Sequence, residues 1–232
     1  MPKIKFIYLD EYFYEVGVRP EPSQNFIPEW FRKMESYHGG KMTVRNRESN
    51  ATAKKCTPML DAISGGYTIP LWADVIVHQD GENGPQINWR TERPPFALHG
   101  PSAREIPPPP GYDNIVFKYA PFFRIETPPG YSIMVKPPAG HYDLPFQAIP
   151  ATIESDGVKI DTNFPVWVKS GFEGIVEKGT PIAQVFPFKR ENWTSEFSWI
   201  PWERHVMDKD KGFEATIKHN YVRNIWSRKS FK

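Results

Sequence analysis

The chain has 232 residues, of which 39% are hydrophobic and 15% aromatic, and a formal net charge of +2 at pH 7. This length favours a single domain over residues 1–232, and the hydrophobic content excludes wholesale disorder. The single cysteine, Cys56, excludes an intramolecular disulfide, and the balanced charge gives no global sign of nucleic-acid binding.

The first half of the chain predicts short strands and short helices. Apolar residues alternate with polar ones in three segments, which is typical of half-buried strands. Two other segments place apolar residues at helical spacing, or carry a cap residue, a proline in the first turn and a terminal glycine pair. These patterns predict strands at Lys3–Leu9, Tyr67–His78 and Ile87–Thr91, and helices at Asn25–Tyr37 and Thr57–Gly65.

Seven short apolar segments follow in the second half, separated by turns rich in proline and glycine. Many short strands at this spacing indicate an all-β barrel or sandwich. We therefore expect a mainly β fold, with a barrel core over about residues 67–190 and short added helices near the N-terminus and at the C-terminus. The predicted strands are Ile115–Tyr119, Phe122–Glu126, Tyr131–Lys136, Phe146–Glu154, Phe164–Lys169, Gly174–Val176 and Ile182–Lys189.

A basic and aromatic extension covers about residues 193–232. Apolar residues at helical spacing predict a helix over Phe213–Ser227. From Arg204 to Lys232 there are eight Lys and Arg residues against three Asp and Glu residues. Such a run is expected as a solvated surface, and the alternative is a docking surface for an acidic partner or for nucleic acid.

Three motifs in the second half resemble the dUTPase and dCTP-deaminase superfamily, whose small barrel is called a β-clip. The segment Gly179–Val185 matches the Gly-x-x-Ile-Ala-Gln-apolar signature of that superfamily. Pro137–Gly140 lies where the superfamily has Pro-Arg-Ser-Gly, and Ile153–Gly157 lies where it has Ile-Asp-x-Asp-Tyr. The resemblance implies a β-clip-like barrel. Any ligand-binding residues would then be Glu154, Asp156 and Gln184.

The same motifs depart from the superfamily at the positions that bind and hydrolyse nucleotide. The phosphate-binding Arg and Ser correspond to Pro138 and Ala139, whose side chains donate no hydrogen bond. The water-activating Asp corresponds to Glu154, and the base-stacking Tyr corresponds to Gly157. We therefore expect no dUTP hydrolysis. A nucleotide- or small-ligand-binding protein on this scaffold is an alternative function.

A second resemblance covers nearly the whole chain. The segments IPEWFRKM, KKCTPMLDAISGGYTIPLWADV and GTPIAQVFPFKRENW are similar to a protein family found in T4-like phages of marine bacteria. It implies a phage origin. The apolar residues at the phosphate-binding positions and the high content of aromatic residues and proline then favour a non-catalytic protein without a cofactor, a virion-associated or assembly component in the host cytoplasm or in the virion. Its expected partners are other copies of itself, for example as a trimer, or virion proteins. No long apolar run is present, so we expect no membrane partner.

A non-haem iron site is a third interpretation. His141-Tyr142-Asp143 has the His-x-Asp spacing of a facial-triad site, with His205 or His219 as the distal ligand. The competing interpretation is that these are ordinary turn and surface histidines. The thiol of the one cysteine lies beside two lysines and could be a nucleophile, but no base is identified for it, so we expect a buried structural cysteine.

Overall fold

The computed structural model describes residues 2–45, 48–100, 104–217 and 221–232. These residues are mainly β, which confirms the predicted fold class. The strands are β1 (Lys5–Tyr8), β2 (Glu21–Pro22), β3 (Val44–Arg45), β4 (Glu48–Ser49), β5 (Tyr67–Pro70), β6 (Val75–Gln79), β7 (Pro85–Trp89), β8 (Phe96–Leu98), β9 (Tyr112–Tyr119), β10 (Phe123–Glu126), β11 (Tyr131–Lys136), β12 (Phe146–Ala148), β13 (Ala151–Ile153), β14 (Phe164–Lys169), β15 (Gly174–Val176) and β16 (Pro181–Lys189). The α-helices are α1 (Glu11–Val16), α2 (Glu29–Lys33), α3 (Thr57–Ser64) and α4 (Trp202–Ile217).

The strands pair antiparallel within several separate sheets. The largest sheet has the order β13-β11-β16-β5-β2, the second β12-β14-β9-β8 and the third β15-β6-β7. The pairs β1-β10 and β3-β4 complete the pairing of the described strands. The long strand β16 lies at the centre of the largest sheet, where Val185 pairs with Val135 of β11 and with Tyr67 of β5.

Among the described strands the sheets stay open, so the core differs from the predicted closed barrel. The largest sheet ends at β13 on one side and at β2 on the other, and both strands are only two or three residues long. Pro22 in β2 has no amide hydrogen to offer a further strand, which is why proline is found at sheet edges. Short edges of this kind end the hydrogen-bonded ladder instead of joining it to a neighbour.

The open sheets pack their apolar faces into one core. On β11, Ile133 and Val135 are buried while Met134 between them is exposed, as expected for side chains that alternate across a sheet. The other sheets and α1 supply large buried side chains to the same cluster. Among these are Phe13, Leu71, Phe96, Phe117, Tyr119, Phe146, Phe164 and Val166.

The predicted helix at Asn25–Tyr37 is divided at Pro28. A 3-10 turn covers Ser23–Phe26, and α2 then begins at Glu29. Ile27 adopts ψ 124°, because a residue that precedes proline is disfavoured in the α region. The aromatic side chains of this segment therefore approach the sheets from two short elements.

The helix predicted after Thr57 is confirmed as α3, with Pro58 in its first turn. Its N-cap is Cys56, whose side chain makes no capping hydrogen bond. Cys56 is exposed, so the prediction of a buried structural cysteine is wrong. The cap position precedes the helix and here lies at the surface of the molecule.

The short helix α1 is not among the elements predicted from the sequence. Asp10 caps it by accepting a hydrogen bond from the amide of Tyr12 at 2.8 Å.

The chain leaves the sheets after β16. Residues 190–201 have no regular structure, and α4 begins at Trp202, well before the predicted start of the helix Phe213–Ser227. A π-helical turn covers Tyr221–Ile225. Residues 218–220 of the predicted helix lie outside the described residues.

The last residues of the chain return to α3. Trp226 Nε1 donates a hydrogen bond to Asp61 at 3.0 Å, and Lys229 Nζ pairs with the same carboxylate at 2.6 Å. The ring of Phe231 meets that of Tyr67 edge-on, with centroids 5.8 Å apart. Part of the basic C-terminus is thus bound to the protein itself.

Candidate functional site

Gln184 is buried in the middle of β16, and its side-chain amide bonds to backbone on both sides. Its exposed fraction is 1%. Oε1 accepts a hydrogen bond from the amide of Ala139 at 3.0 Å. Nε2 donates to the carbonyl of Gly65 at 2.7 Å and lies 3.2 and 3.3 Å from the carbonyl oxygens of Ala62 and Ile63. This predicted ligand residue therefore connects the end of α3 to the turn that follows β11.

The turn that resembles a phosphate-binding loop, Pro137–Gly140, is covered by the N-terminal segment. Trp30 Nε1 donates a hydrogen bond to the Gly140 carbonyl at 2.7 Å. His141 Nε2 donates to the carbonyl of Phe26 at 2.6 Å. Because a carbonyl can only accept, Nε2 carries the proton in this bond, and only the other ring nitrogen, Nδ1, keeps a lone pair. The backbone and flanks of the turn are taken up by contacts within the protein.

Asp156 is held by Arg190, the first residue after β16. The two carboxylate oxygens accept from the guanidinium at 2.8 and 2.5 Å, and one of them also accepts from the amide of Gly130 at 2.8 Å. The same guanidinium donates to the Tyr131 carbonyl and the Ser132 hydroxyl, each at 3.0 Å. The hydrogen bonds from Arg190, and then the one from Gly130, hold the pKa of the Asp156 carboxyl well below its usual range.

We predict that Asp156→Asn lowers the melting temperature at neutral pH. A carboxyl whose pKa is depressed by folding adds stability above its unfolded pKa of about 3.9, and this stability is lost as the pH falls through the depressed value. The difference in melting temperature between the native protein and the variant should therefore shrink steadily below about pH 4. Thermal unfolding followed by circular dichroism over a pH series measures it.

Asp143→Asn is the matched control, because Asp143 is exposed and makes no ion pair within the described ranges. Its melting temperature should follow that of the native protein at every pH. Equal pH dependence for the Asp156 and Asp143 variants would contradict the assigned role of the Asp156–Arg190 pair.

The remaining predicted site residues lie on different elements of the fold. Glu154 is exposed in the turn after β13, while Asp143 is exposed in the loop after β11. His205 lies on α4, with its ring 5.2 Å from that of Trp202. Across the described ranges, no group of three His, Cys, Asp or Glu side chains is arranged to hold a metal ion. His219, the other distal ligand proposed from the sequence, lies outside the described residues.

An apolar cleft that the sequence analysis did not identify lies between α1 and the β15-β6-β7 sheet. Its volume is about 420 Å³, within the range of small-molecule pockets. Both tryptophans in its wall lie within predicted strands, Trp72 in Tyr67–His78 and Trp89 in Ile87–Thr91, so alternation alone did not separate them from core residues. We call it the aromatic cleft; its apolar lining consists of Tyr12, Phe13, Trp72, Ala73, Ile76, Trp89 and Ile175.

Trp72 and Phe13 form a fixed wall of the aromatic cleft. Trp72 Nε1 donates to the carbonyl of Ala120 at 2.9 Å, and its backbone amide donates to the hydroxyl of Tyr119 at 3.1 Å. Phe13 meets the Trp72 ring edge-on at 4.9 Å and stacks on Phe122 at 4.2 Å. These contacts hold the wall in place before anything binds, which reduces the entropy cost of binding.

The rest of the cleft is more open and carries charge. Ile76 and Ile175 form a cross-strand pair and are 40% and 67% exposed. Arg90 and Lys178 are exposed lining residues. Asp74 accepts a hydrogen bond from the backbone amide of Lys178 at 2.7 Å. The charged lining therefore has two cationic side chains against one carboxylate, and it can attract an acidic, apolar segment.

Residues 191–202, which we call the aromatic arm, expose four large rings. The exposed fractions are 86% for Trp193, 94% for Phe197, 83% for Trp199 and 71% for Trp202. Single exposed apolar residues are common on soluble proteins, but four large exposed rings within twelve residues make this segment a candidate interaction site. The sequence analysis had placed an aromatic extension here, and the structure adds that its rings are uncovered.

Comparison with known proteins gave no matching family model and no matching curated protein. No helix in the described part of the chain is long and apolar enough to cross a membrane.

Proposed function

We propose that this chain is a non-catalytic bacteriophage protein, a component of the virion or of its assembly that acts through protein contacts. The observation that carries the proposal is the aromatic arm, whose four rings are 71–94% exposed. Tryptophan is among the residues that contribute most to protein interfaces when it is buried there. The resemblance to a phage protein family supplies the biological setting.

Two further features support a role in binding rather than nucleotide chemistry. The turn that resembles a phosphate-binding loop is covered by Trp30 and by the contact between His141 and Phe26. Gln184 is bonded on both sides to backbone, and Asp156 is paired with Arg190. The side chains that a dUTPase-like site would use thus make hydrogen bonds and ion pairs within the protein.

The test is to replace the four rings of the aromatic arm by serine in the phage genome. Because all four are exposed, the variant should fold, and its incorporation into virions or assembly intermediates should fall at least about tenfold. Quantitative mass spectrometry of purified particles, normalised to the amount of chain in the infected cells, measures this loss.

Met134→Ser is the matched control, because Met134 is an exposed apolar residue on β11 outside the arm. This variant should be incorporated like the native chain. The proposed function is overturned if the native chain is missing from virions and from assembly intermediates, or if the arm variant is incorporated normally.

A further inference from the structure

We propose that the aromatic cleft receives the aromatic arm of a second copy of this chain. The inference rests on the proposed function, since it names the partner that the arm binds. It joins two apolar surfaces that the structure leaves open, the exposed rings of the arm and the lining of the cleft. Each copy would give its arm to a neighbour and receive one in return, a contact that repeats until the assembly closes.

The arm does not occupy the cleft of its own chain, since its four rings are 71–94% exposed. Lys178 in the cleft precedes β16, whose first residue, Pro181, pairs with Pro70. The arm follows Lys189, the last residue of β16. At about 3.3 Å per residue, the nine residues of β16 separate the two ends by roughly 26 Å. The arm therefore departs from the end of the strand that is remote from its own cleft.

Both ends of the segment that contains the arm are fastened to the protein. Arg190 is bound by Asp156 and by the Gly130 carbonyl, which accepts from the Arg190 amide at 2.9 Å. At the far end, Trp226 and Lys229 bind Asp61. The arm is thus anchored directly at its start, and an anchored segment loses less conformational entropy on binding than a free tail.

The chemistry of the arm matches that of the cleft. The arm and the first turn of α4 carry the exposed carboxylates Glu196 and Glu203 among the rings. The cleft carries the exposed cations Arg90 and Lys178 beside its aromatic wall. Opposite charges at the margin of an apolar contact orient the partners and suppress other pairings.

The arm is also large enough for a stable contact. Each large aromatic side chain buries about 150–250 Å² when it is covered, so four rings give roughly 600–1000 Å². A standard protein interface buries about 800 Å² on each partner. The arm therefore offers an area of the usual size, of which a cleft of about 420 Å³ takes up a part, and a closed assembly contains at least two such contacts.

The first experiment measures the mass of the purified full chain by light scattering after gel filtration, over a range of concentrations. The native chain should form a closed oligomer. The cleft variant Ile76→Ser with Ile175→Glu should raise the dissociation constant at least about a hundredfold, as should the arm variant with its four rings changed to serine. Met134→Glu places the same charge on another exposed strand position and should leave the mass unchanged.

The second experiment mixes the two defective proteins. An arm variant still has an intact cleft, and a cleft variant still has an intact arm, so the mixture should form one-to-one pairs although neither protein associates alone. Association by arm-to-arm contact predicts the opposite, because the cleft variant would then assemble normally and the mixture would form no pairs.

A cross-linking measurement tests the same contact in proteins that keep the rings of the arm and the isoleucines of the cleft. Its result therefore does not depend on whether the arm and cleft variants fold. In a Cys56→Ser background, which removes the exposed native thiol, one protein carries Ser198→Cys in the arm and another carries Thr91→Cys in the cleft. A bismaleimide should join the two proteins in the mixture, and added arm variant, with its free cleft, should compete.

The outcomes separate this inference from the proposed function. A native chain that stays monomeric at all concentrations, or a cleft variant that assembles like the native chain, overturns the arm-in-cleft contact while the arm can still bind a virion protein. Loss of incorporation into virions by the arm variant alone, with the cleft variant incorporated normally, would identify such a different partner. Normal incorporation of the arm variant overturns both.

Discussion

Replacing Gln184 by leucine is expected to destabilise the protein by about 3–5 kcal/mol. Leucine fills a similar volume but would leave the amide of Ala139 and three carbonyls at the end of α3 without this partner. An unsatisfied buried polar group costs about 1–3 kcal/mol. The total cost is lower than the sum for four unpaired groups, because the Ala62 carbonyl still accepts a hydrogen bond from Lys136 Nζ at 3.3 Å. Urea unfolding followed by tryptophan fluorescence measures the free energy of unfolding.

Gln147→Leu is the matched control for this substitution. Gln147 is a half-buried glutamine on β12 whose side chain makes no hydrogen bond within the described residues, so its loss should change stability by less than about 0.5 kcal/mol. If Gln184→Leu were as mild as the control, the buried hydrogen bonds would not hold α3 to the turn after β11. Gln184 would then be free to act as the ligand residue that the sequence suggested.

Local alternation predicted some strands with their bounds, but the prediction of one strand over Tyr67–His78 is wrong, because the chain forms β5 and β6 there, in different sheets. The predicted bounds of Tyr131–Lys136, Phe164–Lys169 and Gly174–Val176 are those observed. The prediction of one strand over Phe146–Glu154 is wrong, because the chain forms β12 and β13 on either side of Pro150. Proline cannot donate to a ladder, so the two halves pair with different sheets. Local pattern specifies a strand, while the sheet it joins depends on distant residues.

The candidate site was harder to predict because its contacts join distant parts of the chain. Asp156 and Arg190 are 34 residues apart, and Gln184 is 119 residues from Gly65. A polar residue in such a motif is the same amino acid whether its side chain faces a ligand or a backbone amide. Only the positions of the partners separate these two roles.

The aromatic arm shows the same limit in another form. Its rings follow no strand or helix period, which is why the sequence identified an aromatic extension without saying whether the rings are buried. Burial depends on whether another element covers them, and in the described structure none covers Trp193 or Phe197. The composition therefore predicted an aromatic segment at this place in the chain, and the structure shows that its rings are exposed to solvent.

Tyr119→Phe is expected to cost about 2–4 kcal/mol, although the change removes a single oxygen atom. Tyr119 is fully buried, its hydroxyl donates to the Pro70 carbonyl at 2.7 Å, and the same oxygen accepts from the Trp72 amide at 3.1 Å. Burial raises the pKa of the Tyr119 phenol well above its ordinary value, so the hydroxyl stays protonated and both bonds persist at neutral pH. Phenylalanine would keep the ring contact with Phe96 and leave both backbone groups unpaired.

This substitution also tests the rigidity of the aromatic cleft, because the two lost hydrogen bonds fix the segment that carries Trp72. Urea unfolding should show the loss of stability, and hydrogen exchange at the Trp72 amide should accelerate by a larger factor than exchange at the Val185 amide in β16. Tyr142→Phe is the control, since Tyr142 is 75% exposed, and it should change stability by less than about 0.5 kcal/mol. If arm-in-cleft assembly also weakens in Tyr119→Phe, the rigidity of the cleft wall contributes to binding. Unchanged exchange at Trp72 would show that this hydroxyl does not hold the wall.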